Sequence, residues 1–409
     1  MERRASRRAA GGRVGWTAAD LTLVLVLTAV GLRWALFVVL ALVDSVQQRA
    51  RSEALRLADA ELPPVTVLVP AYNEAQVIRS TVERALASDY PSLRVVVIDD
   101  GSQDGTAQAA QVDDERVTVL VQQPNQGKAA ALNRGLAQAD TELVVTVDAD
   151  TWLHPRAVRC MVESLLVCGA DAVASNVRVG NRVNLWTRWQ SLEYVSGLNI
   201  DRRAQAVLGV ITTVPGAASA WRREVVLAAG GYTRRTLTED TDLTLTLLRE
   251  GRHIVFDSRA VAFTEAPQTG GALYRQRLRW LHGNLQCAWH HSRAGGGPWR
   301  FLFVALPNLW FAHLGVYLLL PVTLLLTALG RSQSAAVFLG WLFAALFIVD
   351  ITAVLLAYLL DRGDWRDLLW APSQRVGYPA FLWGVFAVVA LRILRRAPTA
   401  WNKLDRTGL

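Results

Sequence analysis

The apolar residues of this chain gather into four runs of membrane-spanning length, at about 17–43, 301–329, 335–360 and 378–394. A stretch of mixed strand and helix pattern separates the first run from the second. Each run can supply the roughly 20 apolar residues that a helix needs to cross a bilayer. A hydrophobic share of 52% and a mean hydropathy of +0.23 therefore reflect spans rather than one oversized core. The pattern predicts a span and an amphipathic helical linker (44–62) over residues 1–62. A soluble α/β domain with an interfacial segment follows over 63–298, then about three spans and a basic tail over 299–409. No small-residue cleavage pattern follows the first run, so it reads as a permanent anchor rather than a signal peptide.

Charge supports a membrane setting. The formal net charge is +8, and of 43 basic residues only Lys128 and Lys403 are lysine. So strong an arginine bias points to a GC-rich bacterial genome. It also singles out Lys128, because a compact ammonium does work that a planar guanidinium cannot. The arginines cluster beside the apolar runs (Arg3, Arg4, Arg7, Arg8; Arg49, Arg51; Arg392, Arg395, Arg396), where anionic lipid headgroups are the natural partner and nucleic acid is not. Trp299, Trp310, Trp341, Trp365, Trp370, Trp383 and Trp401 fall near run ends, as an interfacial belt requires. The basic N-terminus and the basic linker would lie on opposite sides of the first run, so charge alone assigns no orientation. Cys160, Cys168 and Cys287 lack metal or disulfide-framework spacing, which suits reduced, structural thiols and a cytosolic domain.

From Val65 the chain alternates β-branched runs (65–70, 93–100, 116–122, 142–150) with helical segments such as 75–88 and 127–139. Strands alternating with helices imply a doubly wound, mostly parallel sheet, whose ligands bind at the carboxyl ends of the strands. A dinucleotide-binding domain is the obvious rival, but Pro70-Ala71-Tyr72-Asn73-Glu74 stands where its glycine fingerprint would be.

Four polar clusters mark those strand ends and the segment beyond. Tyr72 and Glu74 after the first strand, with Asp100 after the second, offer an aromatic face and acceptors for a uracil N–H; the bland alternative for Asp99–Ser102 is turn chemistry. Asp148-Ala149-Asp150 ends a strand, so both carboxylates can face one pocket and hold Mg²⁺ or Mn²⁺ together with substrate phosphates. Thr238-Glu239-Asp240 opens a helix whose N-terminal dipole favours an ionised Asp240, a candidate general base; the plain alternative is an acidic N-cap. In Gln276-Arg277-Leu278-Arg279-Trp280 the indole can stack on a pyranose and Arg279 can pair with a diphosphate, while an interfacial helix is the plain reading. His282, His290 and His291 form no second metal cluster and read as structural.

In this order the clusters resemble the processive family 2 glycosyltransferases, the group of cellulose, chitin, hyaluronan and poly-N-acetylglucosamine synthases. The match runs from about Val65 to Trp289, with a looser one through the later spans and the Trp401–Leu404 tail. The nearest subgroup looks like the poly-β-1,6-N-acetylglucosamine synthases, although Leu281-His282-Gly283-Asn284 replaces a glycine pair expected after Trp280, and one early span stands where two are usual. The resemblance implies a GT-A fold inserted between membrane helices and a multi-pass protein of the bacterial cytoplasmic membrane, its catalytic domain facing the cytosol. It implies an inverting enzyme that takes a UDP-sugar donor and a growing polysaccharide acceptor, uses Mg²⁺ or Mn²⁺, and works beside accessory export or modification proteins. Residue by residue, it assigns Tyr72, Glu74, Asp100, Lys128, Asp148, Gln276 and Arg279 to the nucleotide, and Asp148 and Asp150 to the metal. It assigns Asp240 to catalysis with Glu239 beside it, and Trp280 to the acceptor. A non-processive transferase with a lipid acceptor would share the acidic clusters but leave Gln276–Trp280 unexplained.

Overall fold

The computed structural model describes residues 16–51, 54–329, 333–361 and 363–397; the basic clusters at 3–8 and the 401–404 tail lie outside them. An eight-stranded sheet forms from β1 (Val65–Ala71), β2 (Leu93–Asp99), β3 (Val117–Val121), β4 (Leu143–Val147), β5 (Thr151–Leu153), β6 (Ala172–Val179), β7 (Ala218–Arg222) and β8 (Ile254–Thr264). Its order is β3-β2-β1-β4-β7-β6-β8-β5. The pairs β1–β2, β1–β4, β2–β3 and β6–β8 are parallel, whereas β4–β7, β6–β7 and β5–β8 are antiparallel. The sheet is thus mostly parallel, as expected.

Strand alternation divides the core into two layers. Val65, Val67, Val69, Val95, Val97, Val145 and Val147 face one side, against the helices Ile78–Leu86 and Ala157–Val167. Leu68, Val96, Ile98 and Val144 face the other, where the helices Lys128–Gln138 and Glu239–Arg249 pack. Both faces being covered, the strands read as unbroken apolar runs. The chain reverses its direction of travel across the sheet after β3, returning to pair β4 with β1. The carboxyl ends of β1, β2 and β4 therefore converge beside a switch point.

Among the described residues, four helices are long and apolar enough to cross a membrane: Ala18–Arg51, Phe301–Leu319, Val337–Asp361 and Trp365–Leu394. Two differ from the sequence reading where they meet the sheet domain. The first helix does not yield to a separate linker at residue 44 but runs on to Arg51, because Asp44 and Ser45 are buried and Gln48 bonds Phe256 and Ser258. The second begins inside the sheet domain's core, where Phe301, Ala305, Leu306 and Leu309 are buried. Of the tryptophans near run ends, Trp299, Trp341 and Trp365 are exposed. Trp310 and Trp383 instead donate hydrogen bonds to Ser292 and to the Tyr317 carbonyl. All three cysteines are unpaired.

Candidate active site

Two loops build the first wall of the site by lacing the ends of β1 and β2 together. Asn73, in the left-handed region at φ 53°, donates its N–H to Ser102 Oγ and accepts the Gln103 N–H at 2.8 Å. The Glu74 N–H meets Thr106 Oγ1 at 2.7 Å, and the Ala75 N–H meets Asp104 Oδ2 at 3.1 Å. This places Tyr72 and Glu74, both half-buried, beside the Asp99–Thr106 turn.

Asp99 and Asp100 do different work. Asp99 accepts the Ser102 N–H and hydroxyl and shapes the turn, as the plain reading allowed. Asp100 is buried and accepts from the Gln122 amide, from the Gln126 N–H and from the Gly127 N–H, the latter two at 2.7 Å. Three donors occupy a carboxylate with about four acceptor positions. Asp100 therefore first holds the 122–127 loop, and that loop delivers Lys128.

Lys128 is the electrostatic centre. Its Nζ lies 2.6 Å from Asp148 Oδ1 and 3.1 Å from Glu239 Oε1. Burial works to lower its pKa, but Asp148, Glu239 and Asp240 together raise it above the ordinary lysine value. Asp148 and Asp150 are not on the strand itself: β4 ends at Val147, and Asp148–Asp150 form the turn into β5, closed by the Thr151 N–H on the Asp148 carbonyl at 2.9 Å. Burial pushes Asp148 up to about 6 against the pull of Lys128, and Asp150 adds to the rise.

That crowded pair fits a divalent cation. Both are hard carboxylates, the charge of Asp150 adds to the rise at Asp148, and the Lys128 ammonium pairs with Asp148 and Glu239 beside them. Among the described residues no group of three or more His, Cys, Asp or Glu could hold a metal alone, so an ion here would complete its shell with phosphate oxygens.

Asp240 stands in the first turn of the helix Glu239–Arg249. Its Oδ2 accepts the Gly216 N–H at 3.0 Å and its Oδ1 the Thr241 N–H at 2.8 Å, so both oxygens are aimed. The helix dipole was expected to favour ionisation, yet burial and then Glu239 outweigh the opposing groups and raise the Asp240 pKa. Burial also works on Glu239, but Lys128 overcomes it, with Arg279 contributing, and holds that carboxyl below its usual range.

The helix Gly270–Ala294 carries Gln276–Trp280 and leans on this segment. Gln286 accepts the Leu237 N–H at 3.1 Å, Cys287 Sγ meets Thr238 Oγ1 at 3.4 Å, and His291 Nε2 lies 3.0 Å from Asp242 Oδ1. Gly283 makes the approach possible, since a Cβ there would sit 2.7 Å from Thr238 Cγ2 and 3.0 Å from its backbone nitrogen. Gln276 is buried, and its Oε1 has no hydrogen-bond partner among the described residues. Trp280 is half-buried, packed by Val177, Val179, Tyr194 and Ala266. The structure thus gathers Lys128, Asp148, Glu239 and Asp240 into one charged cluster, with Arg279 in its field. Sequence reasoning missed Gly216, Gln126 and Gly127, whose contributions are backbone N–H groups that no side-chain pattern reveals.

A mostly parallel sheet with acidic groups at the carboxyl ends of its strands, set among helices long and apolar enough to cross a membrane, is an architecture of the GT-A kind. The profile described as Glycosyltransferase like family 2 matches residues 63–283, more than half of the chain, and the chain belongs to that family. It is 31% identical over 226 residues to a poly-β-1,6-N-acetyl-D-glucosamine synthase of Staphylococcus aureus, covering 54% of this chain and 55% of the relative. A synthase of the same name from Staphylococcus epidermidis is 30% identical over 239 residues, 57% of each chain. The chain so spans about half the length of the curated relatives it matches. A solved mannosyltransferase from Pyrobaculum calidifontis, in complex with GDP-mannose and Mn²⁺, superposes with a TM-score of 0.62. It has 22% identity and covers 93% of this chain and 100% of that one, a likeness of fold.

Proposed function

We propose that the protein is an inverting, processive glycosyltransferase of the bacterial cytoplasmic membrane, its catalytic domain facing the cytosol. It would polymerise a β-linked polysaccharide from a UDP-sugar and pass it through its own helices. Similarity to the staphylococcal synthases favours UDP-N-acetylglucosamine as donor and a poly-N-acetylglucosamine product, with accessory export or modification proteins as partners.

The observation that carries the reading is the placement of Asp240. Two backbone N–H groups aim its carboxylate into a space shared with Lys128, Asp148 and Glu239. Burial and Glu239 raise its basicity, which suits a general base. In the proposed reaction Asp240 takes the proton of the acceptor hydroxyl, and that oxygen attacks the anomeric carbon from the face opposite UDP. Lys128 and Arg279 supply positive charge beside the departing diphosphate. Mg²⁺ or Mn²⁺ held by Asp148 and Asp150 would neutralise charge on that leaving group. Tyr72 and Glu74, on the laced wall, would receive the uracil; Asp100 acts there chiefly through the loop it holds. Trp280 would stack under the acceptor's terminal sugar, and Gln276, with its unpartnered buried oxygen, lies on the same helix.

The test is incubation of purified protein with individual radiolabelled UDP-sugars and Mg²⁺ or Mn²⁺, the products sized on a gel. Long chains from one UDP-sugar are expected. Addition of a single sugar to lipid under excess donor would replace this reading with the lipid-acceptor transferase.

A further inference from the structure

Trp280 is braced by an ion pair that the chemistry above does not use, between a buried Arg277 and a half-buried Glu193. Arg277 precedes it by three residues on one helix face. Its guanidinium carbon lies over the indole, 4.3 Å from the ring centroid, within cation–π range. The edge of the same guanidinium is pinned, Nη2 donating to Glu193 Oε2 at 2.5 Å. Tyr378 donates its hydroxyl to that same oxygen at 2.8 Å. One carboxylate oxygen therefore collects a residue from each of two other elements.

Each member comes from a distinct part of the molecule. Glu193 opens the Glu193–Leu198 segment, where the helix of residues 185–208 widens to π geometry, a local rearrangement found often at functional sites. The same widened segment supplies Tyr194 and Leu198 to the packing around Trp280. Tyr378 belongs to the helix Ala371–Leu394, the last of the membrane-length helices, and is fully buried. The seam there is tight: a Cβ on Gly377 would lie 2.5 Å from the Trp189 ring.

Burying a charged pair is a poor way to gain stability, since desolvation consumes most of the attraction, and such pairs are best explained where geometry must be unique. The geometry that this pair specifies is the tilt of one indole. We propose that Glu193, Arg277 and Tyr378 form a positioning triad that sets the Trp280 ring for the acceptor sugar, with the last membrane helix supplying its third member. The inference rests on the acceptor role given to Trp280 above and extends it: the sugar platform is registered against the membrane helix through a hydroxyl, a carboxylate and a guanidinium.

Full-length protein in detergent, supplied with UDP-N-acetylglucosamine and a β-1,6-linked N-acetylglucosamine tetrasaccharide, tests this. Arg277→Lys keeps the charge and loses the flat, doubly held cation; it should raise the acceptor KM about tenfold. Tyr378→Phe removes one hydrogen bond without changing volume and should raise it about threefold. Glu193→Gln should fall between them. In all three the Kd for UDP should stay near wild type, because the donor side is untouched, even where the unfolding midpoint falls, as it should most in Glu193→Gln, which leaves buried Arg277 without its ion partner. A merely structural role would instead weaken UDP together with the acceptor, in step with the midpoint, and that outcome overturns the proposal. So does an acceptor KM unchanged in both Arg277→Lys and Tyr378→Phe while wild type elongates the probe. If wild type itself cannot extend the tetrasaccharide, the poly-N-acetylglucosamine reading fails and the inference falls with it, before any variant is measured.

Discussion

Asp150 and Asp240 carry the same functional group, and in the proposed reaction their surroundings suit them to different work. Asp150 is buried in the β4–β5 turn beside Asp148, whereas Asp240 is held open by two N–H donors at a helix start. Asp150→Asn should therefore weaken metal-dependent UDP binding, while Asp240→Asn should leave UDP binding intact and cost on the order of 10²–10⁴ in turnover. Calorimetric UDP titration beside a transfer assay separates the two, and near-wild-type turnover in Asp240→Asn would remove it from the role of base. The pH profile follows from the neighbour. Glu239 is a negative charge that raises the Asp240 pKa. The acid limb of the rate profile should therefore lie above the ordinary aspartate value of about 3.9. Glu239→Gln deletes that charge, so Asp240 ionises more readily and the limb should move to lower pH. An acid limb that stays in place, or moves up, would mean that another group controls it.

Among the elements, the helix Gly270–Ala294 shows best what pattern can and cannot reveal. Its cluster Gln276–Trp280 was legible, and so were the four sheet-forming runs, because strand alternation and turn residues are local. Its docking was not, because Gly283 reads as a weak helix residue until Thr238 is seen against it. The same holds for Asp148–Asp150: hydrophobic alternation continues the strand to the acidic pair, but β4 ends at Val147, and the Asp148 N–H goes to the Ala217 carbonyl at 3.0 Å. Lys128 stood out by composition, yet its contact with Glu239 spans more than a hundred residues of chain. Burial opposes ionisation of Asp242, but hydrogen bonds from His291, Arg235 and Thr233 hold it down to about 2. That tie between helices thus stabilises the fold above the ordinary aspartate range and is lost only as pH falls towards 2. Gly283→Ala is the direct probe of the docking. The added methyl must push against the Thr238 backbone, an overpacking cost of about 1–3 kcal/mol, and it displaces the segment that leads into Glu239. A lowered unfolding midpoint together with reduced transfer is expected; an unchanged midpoint would show that the helix shifts freely.

At the scale of the whole molecule, one arginine joins the membrane helices to the sheet domain. Arg203 sits in the helix Asn199–Leu208, with Nη1 2.9 Å from Asp44, about two turns before the end of the first membrane-length helix. Its Nη2 lies 2.9 Å from Asp361 at the end of the third. All three side chains are buried, and Asn199 adds a hydrogen bond to Asp361 Oδ2 at 2.5 Å. The ends of the first and third helices therefore share one side with the sheet domain. Phe301 and Ala305, buried in that domain's core, bring the start of the second to the same side. A planar fork is what lets one side chain serve two carboxylates, and an ammonium cannot copy it. Arg203→Met should leave two buried acids unpaired and cost about 3–5 kcal/mol, seen as a large fall in the unfolding midpoint in detergent. Arg203→Lys, which can satisfy one partner at a time, should fall between Arg203→Met and wild type. The Kd for UDP should hold in whatever fraction remains folded, since Lys128 and Asp240 are positioned by the sheet and not by this clamp. If the proposed polymerisation holds, product length should shorten before UDP binding weakens, because the clamp ties the sheet domain to the ends of two membrane-length helices. Equal loss of UDP affinity and chain length in Arg203→Lys would instead place Arg203 among the groups that shape the donor pocket.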